Sequence, residues 1–274
     1  MNEAMDLGTV DRVLLPRSRA DLPPGSADAA VVAGGTWLFS EKQDHLTTLI
    51  DITALGWEPL IVDENGLGIA ATCTIETLAR FESAFPATTL FPRCAAALLA
   101  SFKIWKTATV GGNVALALPA GAMISMTAAL DGVAEVWSAH GPEHDYRLPI
   151  DQLVVGPQTT VLRPGDVLRS IDVPRHALES RTAMRTLSLS PLGRSAAVVI
   201  GRVDPDGTFV LTVTASTVRP FVLRFSAVPT AHELDDALAD TIGPQHWYDD
   251  PHGAPDWRRH ISCAAAQSIR EELS

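Results

Sequence analysis

Thr109-Val110-Gly111-Gly112-Asn113, continued by Leu118-Pro119-Ala120-Gly121, sets two adjacent glycines straight after a β-branched pair and ahead of a run of small residues. The pattern predicts a strand end, a turn and then the start of a short helix. Lacking a Cβ, Gly111 and Gly112 can take positive φ and let an anion approach the main chain, while the first turn of the helix offers unpaired N–H groups. A phosphate is the guest that suits such a loop.

A second stretch of the same character, Val31-Val32-Ala33-Gly34-Gly35-Thr36-Trp37-Leu38, runs from an apolar strand through a Gly-Gly-Thr turn toward a short helix. Two such loops suit a diphosphate. No Lys or Arg occurs between Leu22 and Ser40, so a charge bound at this loop is held by oriented amides rather than by salt bridges. Each glycine pair alone marks an ordinary turn as readily as a ligand loop, and the reading rests on the two together. Neither has the G-x-G-x-x-G spacing of a Rossmann site or the Lys-Ser/Thr ending of a P-loop.

The order Val-Val-Ala-Gly-Gly-Thr at 31–36 and Thr-Ala-Thr-Val-Gly-Gly-Asn-Val-Ala-x-Ala-x-Pro-Ala-Gly at 107–121 resembles the FAD-binding medium subunit of molybdenum hydroxylases of the carbon monoxide dehydrogenase and xanthine dehydrogenase type. The resemblance extends over essentially the whole chain. It implies an α+β fold: a two-subdomain FAD-binding domain of the PCMH type, divided into residues 1–56 and 57–176, then a C-terminal flavoprotein domain, 177–274, with a three-stranded antiparallel sheet and helices. It implies FAD as cofactor, bound by Val32, Ala33, Gly34, Gly35, Thr36 and Trp37 from one loop and by Thr109, Val110, Gly111, Gly112 and Asn113 from the other. The main-chain amides of both loops would take the diphosphate, Thr36 and Thr109 would add hydroxyls and Asn113 an amide, and Leu168 would lie against the flavin.

The same resemblance implies partners: a small subunit with [2Fe-2S] clusters, a large subunit with the molybdenum cofactor, and an external electron acceptor. Electrons would pass from the clusters through FAD to that acceptor, and no catalytic residue is assigned to this chain. Two positions depart from the family pattern. Ala122 stands where many relatives have an aspartate that interacts with FAD, and the stretch Met184 to Arg194 lacks the aromatic residue and lysine that relatives carry near the flavin, with Arg185 or Arg194 as possible replacements. Two rival readings remain: a flavin-poor scaffold subunit of the same complex, and a free-standing flavin reductase, which needs its own substrate pocket and an acid residue.

The rest of the sequence narrows the field. At 274 residues and 46% hydrophobic content the chain can bury two or three modest cores. A net charge of −11 argues against nucleic acid or an anionic membrane as partner. Met1–Asp6 lacks a basic, then apolar, leader, and no apolar run is long enough for a membrane span, so a cytoplasmic protein without membrane insertion is expected. Cys73, Cys94 and Cys263 are few and scattered, as reduced thiols are, and without a Cys-x-x-Cys no iron–sulfur cluster is expected in this chain. Neither G-x-S-x-G nor H-E-x-x-H occurs. His140 with His144, and His246, Asp249, Asp250 and His252, sit among Gly and Pro and read as solvated loops rather than metal sites.

Strands are expected at Val13–Leu15, Thr47–Ile52, Leu60–Val62, Leu67–Thr74, Gly132–Ser138, in the stretch up to Pro174, and at Ala196–Val203, Phe209–Ala215 and Phe221–Phe225. Asn65-Gly66 predicts a hairpin, Thr74 a helix cap assisted by Thr77, and Pro92–Phe102, Thr230–Leu238 and Trp257–Leu273 helices.

Overall fold

The computed structural model describes residues 7–274; Met1–Asp6 lie outside the described residues. The chain opens with Arg12–Leu14 (β1), Ala29–Val32 (β2) and Thr48–Asp51 (β3), which make a parallel sheet in the order β1-β3-β2. Leu49 and Ile50, adjacent on the central strand, are buried in two different apolar clusters. Both faces of this small sheet are therefore covered, as the continuous apolar run Thr47 to Ile52 requires.

Next come Leu60–Val62 (β4) and Gly66–Ala70 (β5), the helices Ile75–Ala79 (α1), Leu90–Ala97 (α2), Phe102–Thr107 (α3), Val110–Leu116 (α4) and Ala122–Ala129 (α5), and the strands Val133–Trp137 (β6) and Tyr146–Pro149 (β7). Ile150–Leu153 (α6), a ribbon of Val154–Gly156 (β8) and Thr159–Thr160 (β9), Val167–Pro174 (β10) and Arg175–Leu178 (α7) complete this part. Its antiparallel sheet has the order β4-β5-β10-β6-β7. The β4–β5 hairpin turns where Asn-Gly predicts it, with the Asp63 carboxylate accepting from the amides of Asn65 and Gly66 at 2.7 and 3.0 Å. Thr74 caps α1 through its hydroxyl, 3.1 Å from the Thr77 amide and 2.8 Å from the Thr77 hydroxyl.

The expected helix from Pro92 to Phe102 is two. α2 closes at Ala97, Leu99 takes the left-handed region at φ 51°, and α3 begins at Phe102. No glycine or proline marks the break; tertiary packing imposes a conformation that the local residues do not favour. Thr109 also differs from expectation, because helix α3 precedes it instead of a strand, and its strand-like link is an isolated bridge to Thr74.

Arg181–Leu187 (β11), Ala197–Val203 (β12), Phe209–Thr214 (β13) and Phe221–Phe225 (β14) form the last sheet, antiparallel in sequence order. Ala231–Thr241 (α8) and Pro255–Leu273 (α9) pack with it. The sheet has four strands rather than three. β11 pairs with β12 from Arg181↔Val203 to Leu187↔Ala197, but its mixture of arginines, threonines and apolar residues hides an edge strand. Helix α5 has all eight residues buried, as suits a segment apolar all round. Ile124 and Met126 join Val198 and Ile200 of the C-terminal sheet and Ile171 of β10 in one core.

At the start of α9 the buried Arg258 donates to the carbonyls of Gly253, Ala196 and Ala215 at 2.8, 2.6 and 2.7 Å and pairs with Asp250. Asp250 thus belongs to a structural ion pair. A simpler device opens α8, where the Thr230 hydroxyl accepts from Glu233 N at 3.3 Å and the Glu233 carboxylate from Thr230 N at 2.7 Å. Thr230→Ala is expected to lower stability by about 1 kcal/mol; thermal melts would show it as a small drop, and a drop above about 3 kcal/mol would refute a purely local role.

Candidate cofactor site

Each loop is shaped by a close approach of backbone to backbone. A Cβ on Gly34 would lie 1.8 Å from the Thr107 carbonyl oxygen, and one on Gly111 2.4 Å from the Ala71 Cβ. Gly34 therefore lets the strand-end loop of β2 touch the segment leading into α4, and Gly111 lets α4 pack on the turn after β5. Of the four loop glycines only Gly35 takes positive φ, at 65°. For Gly111 and Gly112 the missing Cβ serves packing, not an unusual backbone conformation.

The two loops differ in what they leave open. At the start of α4, Val110 N donates to Cys73 O at 2.8 Å, Gly111 N to Ala71 O at 3.0 Å, Asn113 N to Thr109 O at 3.0 Å and Gly112 N to the Thr109 hydroxyl at 3.0 Å. These four amides, expected to serve an anion, are engaged within the chain. In the other loop the amides of Gly34, Gly35, Thr36 and Trp37 have no protein acceptor among the described residues. Successive unpaired amides of that kind make an anion-binding concavity.

Both loops line one cavity of about 430 Å³. Nine of the twelve expected residues reach it: Val32, Ala33, Gly34, Gly35, Thr36, Trp37, Thr109, Gly112 and Asn113. Val110 and Gly111 are buried behind it, and Leu168 lies in the core of β10 opposite Val136. The Asn113 side chain is oriented by its oxygen, which accepts from Met123 N at 3.1 Å; its NH₂ group is left to donate. The remaining wall is apolar and includes Leu98, Ile104, Leu116 and Leu118. Sequence reasoning missed these because an apolar residue on a short helix signals only burial.

No Lys, Arg, Asp or Glu lines the cavity. An anion there meets the open amides of Gly34 to Trp37 and the hydroxyls of Thr36 and Thr109. Ala122, at the first position of α5, is buried and outside the cavity. Arg185 points to the α9 side of the C-terminal sheet, where it donates to the Ser268 hydroxyl at 3.0 Å and pairs with Glu272 at 2.6 Å. It is committed to that structural role and does not replace a lysine at this cavity. Arg194 is exposed on the loop between β11 and β12.

Elsewhere, burial pushes the Cys73 and Cys94 thiols up to about 12, so both are unreactive at neutral pH. Among the described residues no group of His, Cys, Asp and Glu could hold a metal ion, and no helix is long and apolar enough to cross a membrane.

A family profile described as FAD binding domain in molybdopterin dehydrogenase matches residues 17–176. No curated protein matches the chain significantly. Among solved structures, reconstituted CO dehydrogenase from Oligotropha carboxidovorans is similar over 97% of this chain and 98% of its own, with TM-score 0.81 and 20% identity. Quinoline 2-oxidoreductase from Pseudomonas putida 86 is similar over 96% and 95%, with TM-score 0.77 and 19% identity. A carbon monoxide dehydrogenase from Hydrogenophaga pseudoflava gives 95% and 96%, with TM-score 0.75 and 19% identity. At these identities the structures establish the shared fold.

Proposed function

This chain belongs to the family of FAD binding domains in molybdopterin dehydrogenase, and from that premise we propose that it is the FAD-carrying subunit of a multi-subunit molybdenum hydroxylase. Its role is to hold FAD where electrons leave the assembly, between the iron–sulfur clusters of a small subunit and an external acceptor, with the molybdenum cofactor in a large subunit. The observation that carries this reading is the run of unpaired amides from Gly34 to Trp37 facing Thr109 and Asn113 across one cavity.

The residues present fit the cofactor. The amides of Gly34 to Trp37 and the Thr36 hydroxyl hold one side of the diphosphate, and the Thr109 hydroxyl and the Asn113 NH₂ face it from the other. Thr109 does this while still accepting from Gly112 N, since a hydroxyl both donates and accepts. Leu98, Ile104, Leu116 and Leu118 give that side of the cavity an apolar wall. FAD supplies, when bound, the capacity to accept electrons singly and to release them singly or in pairs. The chain works in the cytoplasm, beside its partner subunits.

The test is to purify the chain with its partners and release the chromophore by denaturation. FAD at about one per chain supports the reading; a colourless chain under native conditions overturns it. Thr109→Val removes both the cap of α4 and one hydroxyl donor, and is expected to weaken FAD binding about tenfold, near 1.4 kcal/mol. Thr109→Ser keeps both and should bind like the wild type. A fluorescence titration of FAD decides, and equal affinities for the valine and serine variants would remove Thr109 from the site.

A further inference from the structure

The five-stranded sheet has two faces with different duties. On one, Ile69, Ile171 and Ala134 share a core with Val110 and Val114 of α4, the helix that begins at the cofactor cavity. On the other face a second cavity of about 530 Å³ opens, and it shares no residue with the first. Strand β10 is irregular there: Leu168 pairs with Val136 and Ser170 with Glu135, which leaves Arg169 as an extra residue. Such a bulge resets the alternation of a strand. Leu168 and Ile171 therefore both belong to the core, while Arg169 and Ser170 both line the outer cavity.

Neither side chain has a hydrogen-bond partner among the described residues. Ser170 is only 9% exposed, so its hydroxyl is a buried polar group aimed into a cavity with nothing to bond. The Arg169 guanidinium lies 4.3 Å from the centre of the Trp57 ring and 5.8 Å from that of Trp137, which holds it in place without engaging its donors. Burial lowers the pKa of this guanidinium, and Glu135, then Asp172, are the charges that oppose the shift. Asp172 is already paired with Arg147 at 2.5 Å, and Asp63 accepts from the amides of its own hairpin turn. Glu135 has no partner among the described residues and stands opposite Ser170 in the strand pairing; Glu58 is exposed at the lip. A bare anion in this cavity would face Glu135 and Glu58, and a bare cation would face Arg169. A ligand carrying both charges suits it.

We propose that this face binds a free α-amino acid with a small or apolar side chain. Its carboxylate is held by Arg169 and the Ser170 hydroxyl and its ammonium by Glu135, while its side chain lies over Gly68 and Ala70 toward Ile61. Those two small residues on β5 leave the trough that a side chain needs. The interior of a polypeptide does not fit, because it offers no free carboxylate and ammonium on one carbon. The inference is independent of the FAD reading, since the two cavities lie on opposite faces of the sheet.

The experiment is isothermal titration of the full chain, purified with whatever partner subunits assemble on it, with glycine, L-alanine, L-valine and L-leucine. At least one is expected to bind with Kd of about 1 mM or below. Two relatives of the tightest binder follow: its amide, which lacks the carboxylate, and its deaminated acid, which lacks the ammonium. Each should bind at least about tenfold more weakly, as loss of a charged hydrogen bond does. Glu135→Gln is expected to weaken the amino acid about tenfold and to leave the deaminated acid unchanged, whereas Arg169→Gln weakens both. Glu135 lies on the outer face away from the core, so its variant decides the matter even if Arg169→Gln fails to fold. Flavin absorbance should be equal in wild type and Glu135→Gln. No binding of any of the four up to about 10 mM, or a Glu135→Gln variant that binds the amino acid like the wild type, overturns the proposal.

Discussion

Gly34→Ala is expected to strip the chain of FAD while leaving most of the fold standing. The added methyl would sit 1.8 Å from the Thr107 carbonyl oxygen and 3.1 Å from the Ala108 Cα. Both are backbone atoms, so no side-chain rotation relieves the clash. The loop after β2 has to retreat by about 1.5 Å to recover normal contact distance, which carries the open amides of Gly34 to Trp37 away from Thr109 and Asn113. A site made of amides works only while those amides converge on one point. The expected loss is at least about 100-fold in FAD affinity, near 3 kcal/mol, seen as flavin-free protein after gel filtration. The small parallel sheet keeps its two apolar clusters, so the circular dichroism spectrum should be nearly unchanged. Gly207→Ala is the control: that glycine has φ 91° with open space around it, in a turn between β12 and β13. Forcing Ala there should cost roughly 1 kcal/mol of stability and leave FAD bound. Affinity of Gly34→Ala within about threefold of wild type would mean that the cavity does not hold the diphosphate.

The glycine pairs made both loops legible because glycine carries positional information that other residues do not. Which amides stay open was not legible. Val110 and Gly111 are engaged by the carbonyls of Cys73 and Ala71, some forty residues earlier, and only the packing of α4 on the turn after β5 makes that so. The hairpin at Asn65-Gly66 and the cap at Thr74 were legible because each depends on neighbours in sequence. The break at Leu99 and the strand Arg181–Leu187 were not, since both are fixed by contacts between distant segments. Arg185, a candidate for the flavin's surroundings on sequence grounds, turns to Ser268 and Glu272, eighty residues and more away. Buried arginines are the hardest case, because charged residues are almost never buried unless paired and the sequence does not show the pairing.

Arg202→Ala is expected to cost about 3–5 kcal/mol, the penalty for leaving the buried Asp204 carboxylate without its partner and Asp131 without one of its two arginines. Arg202 is 1% exposed on β12. It donates to Asp204 at 2.7 Å and to Asp131 at 2.5 Å, and also bonds the Ala129 carbonyl at the end of α5. Asp131 further pairs with Arg224 of β14 and meets His176 of α7 at 3.3 Å, so this cluster ties α5 to the C-terminal sheet and to α7. Burial alone would raise the Asp131 carboxyl, but Arg224 and Arg202 override it and hold it at about 2. A folded-state value below the unfolded one contributes stability that is fully present above about pH 4 and is lost as pH falls through about 2. In Arg202→Ala the carboxyl keeps its burial and loses a cation, so it takes up a proton at higher pH than in the wild type. The stability gap between variant and wild type should then be widest near neutral pH and narrow on acidification toward pH 3, as the variant's Asp131 takes up its proton first. Arg224→Ala, whose side chain is 52% exposed, should cost only about 1 kcal/mol. Urea unfolding at several pH values measures all of this. A gap that stays constant from pH 7 to pH 3 would mean that Arg202 acts through packing and the Ala129 carbonyl, and that the carboxylates do not make up the joint between α5 and the C-terminal sheet.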